Sequence, residues 1–115
     1  MNGIRHGFGK YYFTNGDIYE GMWENNTRHG EGVYYYCNGE VYRGNYNQGN
    51  REGYGVFNYK NGDRYEGQWI NGKLDGFGIY HYSIGEMYMG QYKDNKRCGE
   101  GRYIYKNGIV YHGNW

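Results

Sequence analysis

Residues 29–46 read HGEGVYYYCNGEVYRGNY: glycines two apart, aromatics two apart, an Asn-Gly pair, then Tyr-x-Gly-x-Tyr. The pattern recurs 23 residues later as EGYGVFNYKNGDRYEGQW (52–69) and 23 residues earlier as HGFGKYYFTNGDIYEGMW (6–23). Further copies occupy 75–92 and 98–115, so the 115-residue chain is five 23-residue units. A fixed period of this length is the signature of a repeat array, in which each unit buries its apolar face only against its neighbours.

Every glycine falls into register. Four positions are Gly in all five units (Gly30, Gly32, Gly39 and Gly44 in the second), and Gly3, Gly49 and Gly72 share one linker position. Four aromatic columns are nearly as strict. One is Tyr19, Tyr42, Tyr65, Tyr88 and Tyr111; four residues further on comes Trp23, Tyr46, Trp69, Tyr92 and Trp115. The others are Tyr11, Tyr34, Phe57, Tyr80, Tyr103 and Phe13, Tyr36, Tyr59, Tyr82, Tyr105.

Spacing by two is strand periodicity, with one distinctive face. Asn-Gly followed by an acid is a hairpin signal. A two-residue type I′ turn would put the two regular aromatic columns on opposite faces. An odd loop, a type I turn with Gly16 left-handed in a G1 bulge, restores a common face. Rings are then expected beside glycines of the partner strand, where a missing side chain leaves room. Six-residue polar linkers such as 24–29 reverse the chain between hairpins. The fold expected is all-β: an elongated single-layer antiparallel β-meander of ten strands, roughly 48 Å long and twisted. One such layer leaves an aromatic face that must pack on itself or on something else.

Composition narrows the function. With 23 Gly, 18 Tyr and no Pro, burial must come from aromatic rings rather than aliphatic side chains. Thirteen basic against twelve acidic residues give a net charge of +1, which argues against nucleic acid as partner. No apolar run reaches a membrane span and no signal peptide opens the sequence, which reads as cytoplasmic. Cys37 and Cys98 should sit roughly 25 Å apart, too far to pair, as in a reducing compartment. The four histidines are dispersed, no Cys-His pair has ligand spacing, and the Gly-x-Gly elements precede strands rather than helices. No enzyme, cofactor or metal is expected.

Tyr65-Glu66-Gly67-Gln68-Trp69, then Asn71-Gly72-Lys73, then Gly76-Phe77-Gly78-Ile79-Tyr80 resembles the MORN (membrane occupation and recognition nexus) repeat. So does Tyr19-Glu20-Gly21-Met22-Trp23 with Arg28-His29-Gly30-Glu31-Gly32, and the resemblance covers residues 1–115. It implies an elongated sheet acting as an interaction module, as in junctophilins, ciliary radial-spoke proteins, cytoskeletal scaffolds and partners of myosin tails. It also implies phosphoinositide binding. Departures are Ile84 for the turn Asn, Ile109 for the turn acid and Leu74 for the linker Arg, with Arg43, Met89 and His112 where Glu is usual.

The expected function is a protein–protein scaffold that binds a peptide or helix of a cytoskeletal or membrane-associated partner. The groove would be formed by Tyr19, Trp23, Tyr34, Tyr36, Tyr42, Tyr46, Phe57, Tyr59, Tyr65, Trp69, Tyr80, Tyr82, Tyr88 and Tyr92, with Trp23, Trp69 and Trp115 as anchors. A second patch has Phe77, Ile79, Met87 and Met89 on the opposite face, with Ile70 and Leu74 in the adjoining linker, and is expected to bind a partner or form a homodimer. The alternative function is phosphoinositide binding through Arg5, Arg28, Arg51 and Arg97, set about 10 Å apart on the linker edge. The turn acids Asp17, Glu40, Asp63 and Glu86 lie at the other edge and would make the molecule dipolar. Because the last motif stops at Trp115, the sequence reads as a piece of a longer repeat protein.

Overall fold

The computed structural model describes residues 6–115. These form β1 (Gly7–Tyr12), β2 (Ile18–Glu24), β3 (Thr27–Tyr35), β4 (Val41–Asn47) and β5 (Asn50–Asn58). They continue as β6 (Arg64–Ile70), β7 (Lys73–His81), β8 (Met87–Lys93), β9 (Lys96–Ile104) and β10 (Val110–Asn114). The ten strands make one antiparallel sheet in sequence order, measuring 58 × 24 × 17 Å. The all-β single-layer meander expected from the repeats is the fold found.

Loop parity is as expected. In the first hairpin Tyr12 pairs with Ile18 and Tyr11 with Tyr19. The Phe13 N–H donates to the Asp17 carbonyl at 2.9 Å, the Gly16 N–H donates back to the Phe13 carbonyl at 3.1 Å, and Gly16 has φ of 98°. This is the odd type I plus G1 loop, and only glycine takes its left-handed position without strain. The same bonds recur at Tyr36–Glu40, Tyr59–Asp63, Tyr82–Glu86 and Tyr105–Ile109. Ile84 and Ile109 therefore leave the turns unchanged, because the glycine carries the geometry.

One expectation is corrected and a second is refined. The linkers are not open six-residue loops: strands continue to two-residue turns at Asn25-Asn26, Gln48-Gly49, Asn71-Gly72 and Asp94-Asn95, all with positive φ. That is type I′ geometry, with the loose register taken up by a bulge between Gly21 and Trp23 and its repeats. The rings do lie beside glycines of the neighbouring strand, as expected, although ring and glycine are not paired directly across the ladder. Tyr faces Tyr or Phe, as in Tyr19–Tyr34 and Tyr42–Phe57, and Gly faces Gly, as in Gly21–Gly32 and Gly44–Gly55. The glycines form one continuous row across the sheet, from Gly9 to Gly113.

That row is what lets one layer bury its rings. Tyr19, Tyr42, Tyr65 and Tyr88 are 0% exposed. Each ring lies down over the glycine two residues on and the glycine of the next strand. A Cβ on Gly21 would sit 2.7 Å from the Tyr19 hydroxyl oxygen, and one on Gly32 would land in the Tyr19 ring. The buried hydroxyls donate to the Met22, Asn45, Gln68 and Gln91 carbonyls at 2.8–3.0 Å. Those carbonyls lie at the bulges, where the ladder shifts register, so each tyrosine hydroxyl braces the sheet where its pairing is irregular.

Candidate functional site

The buried tyrosines are walled by the Trp/Tyr column in edge-to-face contacts, the geometry aromatic quadrupoles favour. Tyr19 meets Trp23 of its own unit at 5.1 Å and Tyr46 of the next at 5.5 Å. Tyr42 meets Tyr46 and Trp69, Tyr65 meets Trp69 and Tyr92, and Tyr88 meets Tyr92 and Trp115. Trp23 and Trp69, expected as anchors for a partner, are 6% and 3% exposed because these contacts close over them. Trp115 is at the surface.

Towards the turns runs a second ladder, from Phe13 through Tyr34, Tyr36, Phe57, Tyr59, Tyr80, Tyr82 and Tyr103 to Tyr105, with centroids 4.5–5.7 Å apart. Tyr34 and Phe57 are buried, whereas Tyr36, Tyr59, Tyr80 and Tyr82 are half-buried. The Tyr34, Tyr80 and Tyr103 hydroxyls donate to Asp17, Asp63 and Glu86 of the preceding unit at 2.7–2.8 Å. Among the described residues the hydroxyls of Tyr36, Tyr59 and Tyr82 have no hydrogen-bond acceptor, so they are polar groups open to a ligand. Burial, the largest influence, pushes the Tyr59 hydroxyl up to about 12 and raises Tyr36 and Tyr82 as well, so all three are neutral donors.

The linker arginines are on this face rather than on a free edge, which corrects their expected position. The Arg28 guanidinium lies 5.0–6.0 Å from the Tyr19, Tyr34 and Tyr46 rings and donates to the Gly49 carbonyl at 3.1 Å. Arg51 lies 4.7–5.8 Å from Tyr42, Phe57 and Trp69 and donates to the Gly72 carbonyl at 2.9 Å. Arg97 lies 5.4–5.7 Å from Tyr88, Tyr103 and Trp115. The planar cation stacks on aromatic rings, so it serves as a lid on the core with N–H groups left over. Arg5 lies outside the described residues.

The turn acids are likewise not a free charged edge. Asp17 is 7% exposed and accepts from Tyr34 and, at 2.7 Å, from the Cys37 N–H; Asp63 is 9% exposed and does the same for Tyr80 and Ser83. Burial raises each carboxyl, but hydrogen bonds from the next unit's Tyr and backbone and from Asn15 or Asn61 outweigh it and hold both below the ordinary value. These cross-unit braces were missed in the sequence, although their signal is there: an acid followed 17 residues later by Tyr.

The second patch is split. Leu74 is buried on the ring face, 5% exposed, at the position where other units have Arg. Its N–H donates to the Asn95 side chain at 2.8 Å, and its bulge pairing opposite Trp69 turns it inward. On the reverse face Phe77 and Ile70 are exposed, with Ile79 opposite Met89 and Met87 opposite His81. That face also exposes Phe8, Tyr12, Tyr35 and Tyr54, which the ring columns do not include.

Shallow hollows recur along the ring face. One of about 230 Å³ is lined by Tyr11, Phe13, Trp23 and Arg28. A second, of about 450 Å³, is lined by Arg51, Tyr59, Trp69, Leu74 and Tyr80, and a third, of about 510 Å³, by Leu74, Tyr82, Tyr92, Arg97 and Trp115. Among the described residues no three His, Cys, Asp or Glu side chains are grouped to hold a metal ion, and no helix is long and apolar enough to cross a membrane. Cys37 and Cys98 are free thiols.

The sequence matches the MORN repeat five times in succession, over residues 1–18, 19–41, 42–64, 65–87 and 88–110. No curated protein sequence matches the chain. Among solved structures it is similar to the SAS-4 (dCPAP) TCP domain of Drosophila melanogaster, solved in complex with a proline-rich motif of Ana2 (dSTIL). The TM-score is 0.60 at 16% identity, over 88% of this chain and 54% of that one. The chain thus spans about half of that neighbour, and at this identity the likeness concerns the fold.

Proposed function

Because the chain belongs to the MORN-repeat family, we propose that it is a non-enzymatic protein-interaction module that receives a segment of a partner protein on its aromatic face. One observation carries this reading: Tyr36, Tyr59 and Tyr82 stand at the same place in successive units, half-buried, their hydroxyls bonded to nothing among the described residues. A ring fixed by its neighbours loses little entropy on binding, and Tyr offers both apolar area and a donor. The neighbouring fold's complex with a proline-rich motif supports a peptide as the occupant.

The test uses peptides selected from a random display library against the chain. The Tyr36→Ser, Tyr59→Ser, Tyr82→Ser variant, checked for its β circular-dichroism signal, should lose at least tenfold in affinity, and the corresponding three Phe substitutions a few-fold. Unchanged binding by both variants sinks the proposal.

Self-association has an observation of its own. Phe8, Tyr54 and Phe77 are 69%, 52% and 49% exposed, at one position of the first, third and fourth units on the reverse face. We read this row as a contact surface for a second copy. Sedimentation equilibrium should give a concentration-dependent dimer that Phe77→Ser with Met89→Ser weakens; a monomer at every concentration contradicts it. For phosphoinositide binding the position of the arginines leaves little support, since Arg28 and Arg51 lie over rings of the aromatic face and do not form a row of charge along a free edge.

A further inference from the structure

The pitch of the face selects what can lie along it. Each unit adds two strands, so equivalent positions advance by roughly 9.6 Å. An α-helix returns to one face every two turns, about 10.8 Å, and overruns each unit by roughly 1 Å, whereas an extended strand returns every two residues, about 6.7 Å, so neither keeps step with the units. A polyproline II helix has three residues per turn at about 3.1 Å each, roughly 9.3 Å per turn. It therefore presents every third side chain to successive units. Its carbonyls have no internal partners, and the face supplies donors to meet them: the hydroxyls of Tyr59 and Tyr82 one unit apart, and the spare N–H groups of Arg51 and Arg97 two units apart.

The units are not equivalent, and the difference fixes register. Arg28, Arg51 and Arg97 lid their units with a cation, but the fourth unit has Leu74 there. Leu74 lines both of the larger hollows, with Asn95 in both and Lys96 in the larger, so an apolar side chain interrupts the row of guanidinium groups that stand one unit away on each side.

We infer that the occupant of the aromatic face is a polyproline II segment lying along the sheet, across the strands, with an apolar residue at Leu74 and acidic residues three positions before and after it at Arg51 and Arg97. The inference rests on the aromatic face being the binding surface, and narrows it. Contact with these three units spans about seven ligand residues, at about 3.1 Å each.

The probe is the capped peptide Glu-Pro-Pro-Leu-Pro-Pro-Glu, titrated by calorimetry or fluorescence into the whole chain. Spacing controls are Glu-Pro-Leu-Pro-Glu and Glu-Pro-Pro-Pro-Leu-Pro-Pro-Pro-Glu. The first peptide should bind at least tenfold more tightly than either control. Leu74→Arg, which installs the side chain that three other units already accommodate, should weaken it at least tenfold, and replacing the central Leu by Glu should restore binding to that variant. Equal binding of the three spacings, or indifference to Leu74→Arg, overturns the inference. No binding of any of these peptides overturns it too. Display-selected peptides that still depend on Tyr36, Tyr59 and Tyr82 would then leave the broader reading standing, and their loss as well would remove both.

Discussion

The Tyr34 hydroxyl donates to the Asp17 carboxylate, 2.8 Å away in the preceding unit, while the other oxygen of that carboxylate accepts the Cys37 N–H. One buried acid thus ties together two turns and a ring of the ladder. The Asp63–Tyr80–Ser83 set repeats it. In the middle unit Phe57 stands where the ring would carry a hydroxyl, and Glu40 braces the next turn alone, through the Lys60 N–H at 3.1 Å.

These braces make the protein acid-sensitive. Asp17 and Asp63 have carboxyls held below the ordinary value in the fold, so their stabilisation is complete above the unfolded value of 3.8 and is lost as pH falls through the folded one. Thermal melts from pH 7 to pH 2 should show a steep acid limb that Asp17→Asn with Asp63→Asn flattens. At pH 7 Asp17→Ala should cost about 1.5–3 kcal/mol per charged hydrogen bond lost.

Alkali should act in the opposite sense. Burial raises the Tyr19, Tyr34 and Tyr59 hydroxyls to about 12 from the ordinary 10.0. A group raised in the fold stabilises it fully below the unfolded value, and the contribution disappears as pH climbs from 10 through 12. Absorbance at 295 nm should show two classes of tyrosine, the slower one ionising with the loss of circular dichroism. A single class near 10 would contradict the packing described.

The ring-over-glycine slot can be tested by a double-mutant cycle. A Cβ on Gly32 meets only Tyr19 among its nearest atoms. Gly32→Ala alone should cost about 3 kcal/mol or more, as overpacking in a rigid core does. In a Tyr19→Ala background its added cost should fall by more than about 1 kcal/mol. Additive effects would mean that the glycine is needed for its backbone and not for space.

Arg51→Lys should prove non-conservative. The change keeps the charge and loses the planar fork that stacks on Trp69 while bonding the Gly72 carbonyl. A cost of about 1 kcal/mol in chemical denaturation is expected, with Arg51→Met no worse.

Much of this was legible in the sequence, and the reason is parity. Because side chains alternate along a strand, the columns of Tyr19 and Tyr36 could share a face only through an odd loop, and Gly16 adopts that loop. The glycine pairs within a hairpin, such as Gly9–Gly21, follow from the same parity, but those across the linkers, such as Gly21–Gly32, and the position of Leu74 were not legible. Both depend on the bulge between Gly21 and Trp23, which shifts register and turns the linker residues inward, and no pattern of twos reveals a bulge. The arginines were misplaced for the same reason. Charge suggested solvent, whereas three rings and a carbonyl hold Arg28 on the core.

The central claim, that the aromatic face receives a partner segment, is tested most directly by NMR. A display-selected peptide is titrated into protein labelled at tyrosine rings and methionine methyls. The account predicts shift changes and intermolecular contacts at Tyr36, Tyr59 and Tyr82, with Met87 and Met89 on the reverse face unmoved. Changes confined to Met87 and Met89, with the tyrosine rings unperturbed, would contradict it.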